Sequence, residues 1–389
     1  MSAALPGGAR SFGSDAKAGP TPGAGHAEAS DTAHGSASAS VPAPVRAFRR
    51  VRRPSPGFRH ERRDWLRRRL SILLAEAMTW TVGVMPGPVR DWIADRAGDL
   101  WHRAAPTYRG NVRENLRQVL GAARSERELD DIVRRVFRLN ARNFCDLFAM
   151  PHWTRRGFDR RIRIEDWGVL ERALQSGSGV VLVTGHLGAF DVVGQAIAVR
   201  GLPLTVMTGK TTTRFIFDAV NHLRQTHGPR VVEATPGGVR AAITALRNNE
   251  TAAFLADFDF FRNGLPVHLF GRETTLPPGP IRLARDTGAQ VVGAFAERCR
   301  DGYRLTLTTP FAVERTRDLD ADLAAGMHRL AGLLEQAIAA MPEQWVILQR
   351  VWPEAPADPV RIFPEGSPLE SGLLRRVDDL LPPRLPGER

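Results

Sequence analysis

From about Ile162 onward, short apolar runs rich in β-branched residues alternate with segments of helical periodicity. This alternation predicts an α/β fold with a mostly parallel central sheet flanked by helices, because parallel strands need long crossover connections. The candidate strands are 179–184, 204–208, 231–233, 251–256, 291–295 and 303–308. The candidate helices are 167–174, 189–199, 213–225, 236–247, 280–287 and 320–340. A chain of 389 residues with 43% hydrophobic content can bury one such domain with appendages.

One candidate strand carries a chemical signal where it ends. The apolar run 180–183 leads through Thr184 and Gly185 to His186, and Asp191 follows five positions later. Ligands of parallel sheets collect at the carboxyl ends of the strands. A neutral imidazole accepts a proton near neutral pH, and a carboxylate on its other ring nitrogen fixes the tautomer. The spacing predicts His186 as a general base oriented by Asp191, with a histidine that only caps a turn as the alternative.

The same run indicates the type of reaction. It contains no serine or cysteine that could act as a nucleophile. A base in this place would instead remove the proton of a substrate alcohol, which then attacks an activated acyl carbonyl. We therefore expect direct transfer without a covalent enzyme intermediate.

Three later clusters add charged groups to the same edge of the predicted sheet. Arg224 lies near a helix end, where it could hold a phosphate or complement the helix dipole. Asp257 and Asp259 follow an apolar strand, and they could coordinate a cation, orient Arg224 or cap a turn. A further strand would end at Gly271 and Arg272, which would bring another cation to the site.

The net charge of +12 is concentrated near the N-terminus. Segment 46–69 holds eleven arginines and two acidic residues, a net of +9. The apolar run 70–86 follows, with Glu76 as its one charge and Trp80 within it. This combination predicts an interfacial helix attracted to anionic lipid, with a core helix or a spanning helix as alternatives. The basic block lacks the motifs of nucleic-acid binders, so we expect no nucleic acid partner.

The sequence carries three further signals outside the predicted site. Residues 1–45 are rich in Ala, Gly, Ser and Pro, a composition typical of disorder. Residues 125–128, Ser-Glu-Arg-Glu, predict a capping box that opens a helix running to about Met150. Cys145 and Cys299 belong to no metal-binding pattern, which indicates a reducing compartment and no structural zinc.

Several ordered motifs between about Trp65 and Pro353 resemble the bacterial late lipid A acyltransferase family of the lysophospholipid acyltransferase superfamily, which also includes phosphatidylinositol mannoside acyltransferases. The motifs are the helical lead-in 108–116, His186 to Asp191, Leu223-Arg224 before Gly228, Ala256-Asp257-Phe258-Asp259, Leu269-Phe270-Gly271 with Thr275 and Gly279, and Met341-Pro342-Glu343-Gln344-Trp345.

The resemblance implies a membrane-associated O-acyltransferase without metal or redox cofactor. His186 would be the general base and Asp191 its orienting acid. Arg224 and Asp257 stand where the family keeps residues needed for activity, and Gly271 and Arg272 lie in a segment that helps form the substrate groove. The donor would be the thioester of acyl-CoA or acyl carrier protein, and the acceptor a lipid A precursor-like or phosphatidylinositol mannoside-like lipid.

Composition and patterning divide the chain into segments, and the resemblance implies a place in the cell. The predicted segments are a tail (1–45), an arginine-rich juxtamembrane segment (46–69), a helical region (70–160), an α/β core in one domain with it (161–353) and a C-terminal extension (354–389). The catalytic domain would lie on the cytoplasmic side of the bacterial inner membrane. Aspartate at position 191 is typical of glycerolipid acyltransferases, so that class is an alternative, as is a non-enzymatic membrane-surface protein.

Overall fold

The structure is a computed structural model that describes residues 58–121, 124–209 and 214–353. The predictions for the tail (1–45), for the arginines up to position 53 and for the C-terminal extension (354–389) lie outside the described residues.

Within those ranges, nine strands form one sheet of seven strands and one two-stranded hairpin. The strands are β1 (Ile162–Glu165), β2 (Val180–Thr184), β3 (Leu204–Thr208), β4 (Arg230–Glu233), β5 (Thr251–Leu255), β6 (Leu265–Leu269), β7 (Arg272–Leu276), β8 (Gln290–Cys299) and β9 (Gly302–Leu307). The helices are α1 (Phe58–Gly83), α2 (Gly87–Ala104), α3 (Pro106–Leu120), α4 (Glu126–Ala149), α5 (Arg155–Arg161), α6 (Gly168–Leu174), α7 (Phe190–Val199), α8 (Arg214–Arg224), α9 (Pro236–Arg247), α10 (Gly279–Thr287) and α11 (Leu319–Ala340).

The large sheet has the order β1-β9-β8-β2-β5-β3-β4. The five strands from β8 to β4 run parallel to one another, β9 is antiparallel to β8, and β1 is parallel to β9. The predicted α/β class and mostly parallel sheet are therefore confirmed. Because β2 and β5 are neighbours with Thr184 opposite Leu255, the residues that follow both strands meet at one edge.

The central strands are buried on both faces, as their continuous apolar runs require. Along β2, Val181 and Val183 pack into a cluster with α9, α10 and α11, whereas Val180 and Leu182 pack with α6 and α7 on the other face. This alternation follows from the two-residue period of a strand. Helices therefore cover both faces of the sheet along β2.

The hairpin corrects one expectation. The sequence suggests a strand that ends in Gly-Arg and leads directly into a helix, but Arg272 begins β7, the second strand of the hairpin. Phe270 and Gly271 both have positive φ, 51° and 72°, which is the backbone that a two-residue hairpin turn requires. The turn therefore reverses the chain before the proline-rich segment begins.

A ladder of ion pairs joins the N-terminal helices α2 and α4 to each other. Asp99 receives the Nε–H groups of Arg134 and Arg138, each at 2.7 Å, and Asp95 receives that of Arg142 at 2.7 Å. The two guanidinium groups hold the pKa of Asp99 well below its ordinary value. The capping box predicted at Ser125 and Glu128 is confirmed at the start of α4.

Helix α1 packs through small and polar residues, which leaves its large apolar side chains exposed. Ser71, Ala75, Thr79 and Val82 are buried. Exposed large apolar residues of α1 and α2 are Trp65, Leu66, Leu70, Leu73, Leu74, Met78, Trp80, Val89, Trp92, Ile93 and Leu100. In the part of the chain that the structure describes, no helix has the length and apolar content needed to cross a membrane.

Candidate active site

The loop between β2 and α7 carries His186 and is held on two sides by the backbone. The His186 carbonyl accepts the Val346 N–H at 2.8 Å, and the Gly188 N–H donates to the Gln344 carbonyl at 2.8 Å. On the other side, the Ala189 N–H donates to the Ala296 carbonyl at 3.0 Å. The loop therefore has the fixed backbone that a catalytic side chain needs.

Two glycines permit this close packing. Gly188 has φ +55°, and a Cβ atom there would lie 1.7 Å from the Ala296 carbonyl oxygen. A Cβ atom at Gly185 would lie 3.2 Å from the side chain of Asp257. Only glycine fits at position 188, because both the backbone conformation and the space exclude a side chain.

The imidazole of His186 pairs with Asp257. The distance from Nδ1 of His186 to Oδ1 of Asp257 is 2.9 Å, and the His186 backbone N–H donates to Oδ2 of Asp257 at 2.8 Å. The indole N–H of Trp345 also donates to this Oδ2, at 2.9 Å. An ionised carboxylate only accepts hydrogen bonds, so Nδ1 carries the proton and Nε2 keeps a lone pair. This is the tautomer that a general base needs.

Asp257 and His186 differ sharply in their exposure to solvent. Asp257 is fully buried, whereas 31% of the His186 side chain is exposed to solvent. Burial raises the pKa of the Asp257 carboxyl, but His186 and the indole N–H of Trp345 outweigh it and hold the pKa below its ordinary value. Asp257 therefore stays ionised beside an imidazole that a substrate can reach.

The predicted contact between His186 and Asp191 is wrong. Asp191 lies in the first turn of α7 and binds Arg224, the last residue of α8, with 2.6 Å from Nε to Oδ1 and 3.3 Å from Nη2 to Oδ2. Each charge complements the dipole of its own helix, since an acid is favoured at an N-terminus and a cation at a C-terminus. Asp257 takes the place expected for Asp191 because β5 lies beside β2.

Gln195 strengthens the junction of α7 with α8. It lies one turn after Asp191, so both side chains are on the same face of α7. Its amide donates to the Arg224 carbonyl at 2.6 Å and to the Leu223 carbonyl at 3.2 Å. Arg224 is therefore held by its guanidinium group and by its backbone, and the two residues predicted beside the base form a pair with each other.

The remaining predicted residues lie elsewhere. Asp259 accepts hydrogen bonds from the backbone of Asn263 and Gly264 and from the Thr275 hydroxyl, so it caps a turn. Gly271 and Arg272 are exposed at the turn of the hairpin. That turn is held by α3 and α11, through Gln118 and Glu335 on the backbone of Phe270. Asp257 joins His186, while Gly271 and Arg272 do not.

A largely apolar cavity lies between α7 and the sheet. It is open to solvent at its mouth. The Phe190 side chain lines it and contacts the His186 ring edge to face, at 5.3 Å between ring centroids. Asp191 and Arg224 also line it, and its apolar wall includes Val193, Gly194, Ile197, Leu204 and Val206. The base is thus separated from an apolar cavity by one aromatic ring.

Two further residues at the site were not among the predicted site residues. Trp345 belongs to the 341–345 motif, but nothing in that motif indicates which acid it contacts. Asn143 of α4 donates to the Gly188 carbonyl at 2.7 Å and gives no local sequence signal. Among the described residues, no group of three or more His, Cys, Asp or Glu side chains is arranged to hold a metal ion.

Two curated relatives of this chain are phosphatidylinositol mannoside acyltransferases. The phosphatidylinositol mannoside acyltransferase of Mycolicibacterium smegmatis is 26% identical over 245 residues, which cover 62% of this chain and 78% of that protein. Its counterpart of Mycobacterium tuberculosis is 28% identical over 248 residues, covering 62% and 76%.

A solved structure and a family model complete the comparison. The 1-acyl-sn-glycerophosphate (LPA) acyltransferase PlsC from Thermotoga maritima has 12% identity and a TM-score of 0.31, and the match covers 65% of this chain and 97% of that chain. The model of the bacterial lipid A biosynthesis acyltransferases matches residues 59–354. The chain therefore belongs to the bacterial lipid A biosynthesis acyltransferase family.

Proposed function

We propose that this protein transfers a fatty acyl chain from a thioester donor to a hydroxyl group of a membrane lipid, with His186 as the general base. The observation that carries the proposal is the buried Asp257 carboxylate on Nδ1 of His186, since it leaves Nε2 as the basic nitrogen of a partly exposed imidazole. Membership of an acyltransferase family supports the reaction class.

In this reaction Nε2 of His186 takes the proton of the acceptor hydroxyl. The acceptor oxygen bonds to the acyl carbonyl carbon, the carbon–sulfur bond breaks, and Nε2–H of the imidazolium gives its proton to the departing thiolate. Asp257 stabilises that imidazolium during the step. An ester and a free thiol are the products, and the enzyme returns to its starting protonation.

The apolar cavity beside Phe190 supports an acyl substrate. Each methylene group that it removes from water contributes about 0.8 kcal/mol. Asp191 and Arg224 line the cavity as a closed ion pair, so they anchor α7 over it and present little free charge. We propose that the donor's acyl chain occupies this cavity while its thioester lies near His186.

Acyl-CoA and acyl carrier protein both remain candidate donors. Among acceptors, the names of the curated relatives favour a phosphatidylinositol mannoside over a lipid A precursor or a lysophospholipid. A mannoside offers the sugar hydroxyl that a direct transfer needs. We propose no metal or redox cofactor for the reaction.

We further propose that α1 and α2 lie on the cytoplasmic surface of the bacterial inner membrane. Trp80 and Trp92 are 68% and 63% exposed, which suits the boundary between headgroups and acyl chains. The arginines of segment 46–69 would add attraction to anionic lipid. A membrane-surface protein without activity would share these features, so the enzyme assay separates the two functions.

The test is acyl transfer by the purified full chain in vesicles that contain phosphatidylinositol mannoside, with palmitoyl-CoA or palmitoyl acyl carrier protein as donor. We expect the wild type to form acylated lipid, His186→Ala to be inactive, and Asp257→Asn to lose about a thousandfold or more because the wrong tautomer is favoured. His268→Ala is the matched control, since His268 is exposed on β6. Near wild-type turnover by His186→Ala would refute the proposal.

A further inference from the structure

Trp345, the last residue of the 341–345 motif, contacts the acid that pairs with the proposed base. Its side chain is buried, and its indole N–H donates to Oδ2 of Asp257 at 2.9 Å. The other oxygen of Asp257, Oδ1, is 2.9 Å from Nδ1 of His186. The indole therefore hydrogen-bonds to Oδ2 of Asp257, whereas the imidazole pairs with Oδ1.

The backbone on either side of Trp345 holds the histidine as well. We call residues 344–351 the strap. Within it, the Val346 N–H donates to the His186 carbonyl, and the Gln344 carbonyl accepts the Gly188 N–H, both at 2.8 Å. The Gln344 side chain is fixed in turn, since it accepts from the Arg298 N–H at 2.8 Å and donates to the Arg298 carbonyl at 3.1 Å. One segment thus fixes both members of the pair.

We propose that Trp345 is a positioning residue for the reaction. Its indole N–H holds Asp257 in the orientation that presents Oδ1 to His186, and thereby sets the rate of proton transfer at Nε2. This inference rests on the proposed function. Without the indole, Oδ2 keeps one donor, the His186 backbone N–H, and a carboxylate with fewer donors can turn away from the imidazole.

Trp352 provides a matched control. It is also buried, it packs against Trp345 at 6.1 Å between ring centroids, and its indole N–H donates to the Arg272 carbonyl at 3.3 Å. Trp345→Phe and Trp352→Phe remove the same atoms from the same cluster, but only the first removes a donor from Asp257. A difference between the two variants therefore reports the hydrogen bond and not the lost volume.

The experiment measures kcat and KM for wild type, Trp345→Phe, Trp352→Phe, Asp257→Asn and the double variant of Trp345→Phe with Asp257→Asn. We expect Trp345→Phe to lower kcat about tenfold at an unchanged KM, because a hydrogen bond to a charged group is lost. Trp352→Phe should stay within about twofold of wild type. In the Asp257→Asn background, Trp345→Phe should have almost no further effect, since the two residues act together.

The inference is overturned if the two tryptophan variants lower kcat equally. It is also overturned if Trp345→Phe lowers kcat as much in the Asp257→Asn background as in the wild type. If Trp345→Phe does not fold, benzothienylalanine at position 345 removes the N–H and keeps the shape, and the same outcomes decide. If the wild type transfers no acyl chain, the proposed function fails first. The inference is then decided by histidine ¹⁵N resonances: those of His186 must move in Trp345→Phe but not in Trp352→Phe.

Discussion

Asp191 and Arg224 join the first turn of α7 to the last turn of α8, with 2.6 Å between Oδ1 and Nε. Their side chains are 16% and 20% exposed, so water screens the pair only in part. Because α7 begins directly after the histidine loop, the pair joins the start of that helix to α8. The hydrogen bond to His186 Nδ1 comes from Asp257 instead.

The first prediction concerns this pair. Asp191→Asn and Arg224→Gln should each lower the free energy of unfolding by about 1–3 kcal/mol, because each leaves a partly buried charge without its partner. The double variant should be no less stable than the worse single variant. Urea unfolding of the four proteins measures this. Additive losses would show that the two side chains act independently.

Replacing Gly188 should disrupt the histidine loop. Gly188→Ala adds a Cβ atom 1.7 Å from the Ala296 carbonyl oxygen at a residue with positive φ. We expect it to lower the free energy of unfolding by about 2–5 kcal/mol. Gly177→Ala is the control, since Gly177 has φ +75° with nothing within 4 Å of the added atom. Gly177→Ala should lower the free energy of unfolding by about 1–2 kcal/mol and leave the activity unchanged. Similar losses in both variants would contradict the packing argument.

Gly194 tests the assignment of the cavity. A Cβ atom at this position would lie 3.7 Å from Leu204, so alanine fits and a longer side chain enters the cavity. Gly194→Leu should lower kcat/KM for palmitoyl donors far more than for decanoyl donors, by about 0.8 kcal/mol for each excluded methylene. Gly194→Ala is the control. An equal loss for both donors would place the acyl chain elsewhere.

Asp99 should make stability depend on pH. Its pKa is lowered in the folded state, so its contribution is present above the unfolded pKa of about 3.9 and is lost as pH falls toward the folded value. At pH 7, Asp99→Asn should cost about 1–3 kcal/mol. The gap between wild type and variant in urea unfolding should narrow below about pH 4. Asp91→Asn serves as control, since Asp91 lies 3.8 Å from Arg142 and is 43% exposed. A constant gap would contradict the assignment.

The exposed tryptophans should govern membrane binding. Replacing Trp80 and Trp92 together with serine should weaken binding to anionic vesicles roughly a hundredfold, since each buried aromatic side chain contributes about 1.5 kcal/mol or more. Co-sedimentation with vesicles measures this, with His268→Ser as a surface control. If binding falls with added salt but is unchanged by replacing the two tryptophans, the prediction is wrong and charge alone attracts the protein to the vesicles.

The sequence predicts the strands well because their apolar runs are buried on both faces and carry a strong local signal. It places His186 and Asp257 at strand ends for the same reason. It does not predict their pairing, which depends on β5 lying next to β2, a consequence of sheet order and not of nearby residues. Asp191 is nearer to His186 in sequence than Asp257 is, but the direction of α7 places Asp191 beside Arg224.

The hairpin and the strap show the same difference between local and distant information. The chain turns at Phe270, which has a positive φ, where a strand leading into a helix is expected, and the distant residues Gln118 and Glu335 hold the backbone of this turn. Trp345 lies 88 residues from Asp257, and only the folded chain brings them together.

The strap also determines when the site can exist. Asn115 and Asn140 of the N-terminal helices donate to the carbonyls of Gln349 and Val346, at 2.7 and 2.9 Å. The strap thus joins the N-terminal helices to the His186 loop. The helices are synthesised first, the loop later, and the strap last of the three. The last strand of the described sheet ends at Leu307, so every strand is synthesised before Trp345. Until Trp345 and Val346 follow, Asp257 lacks the indole N–H and the His186 carbonyl lacks its backbone donor.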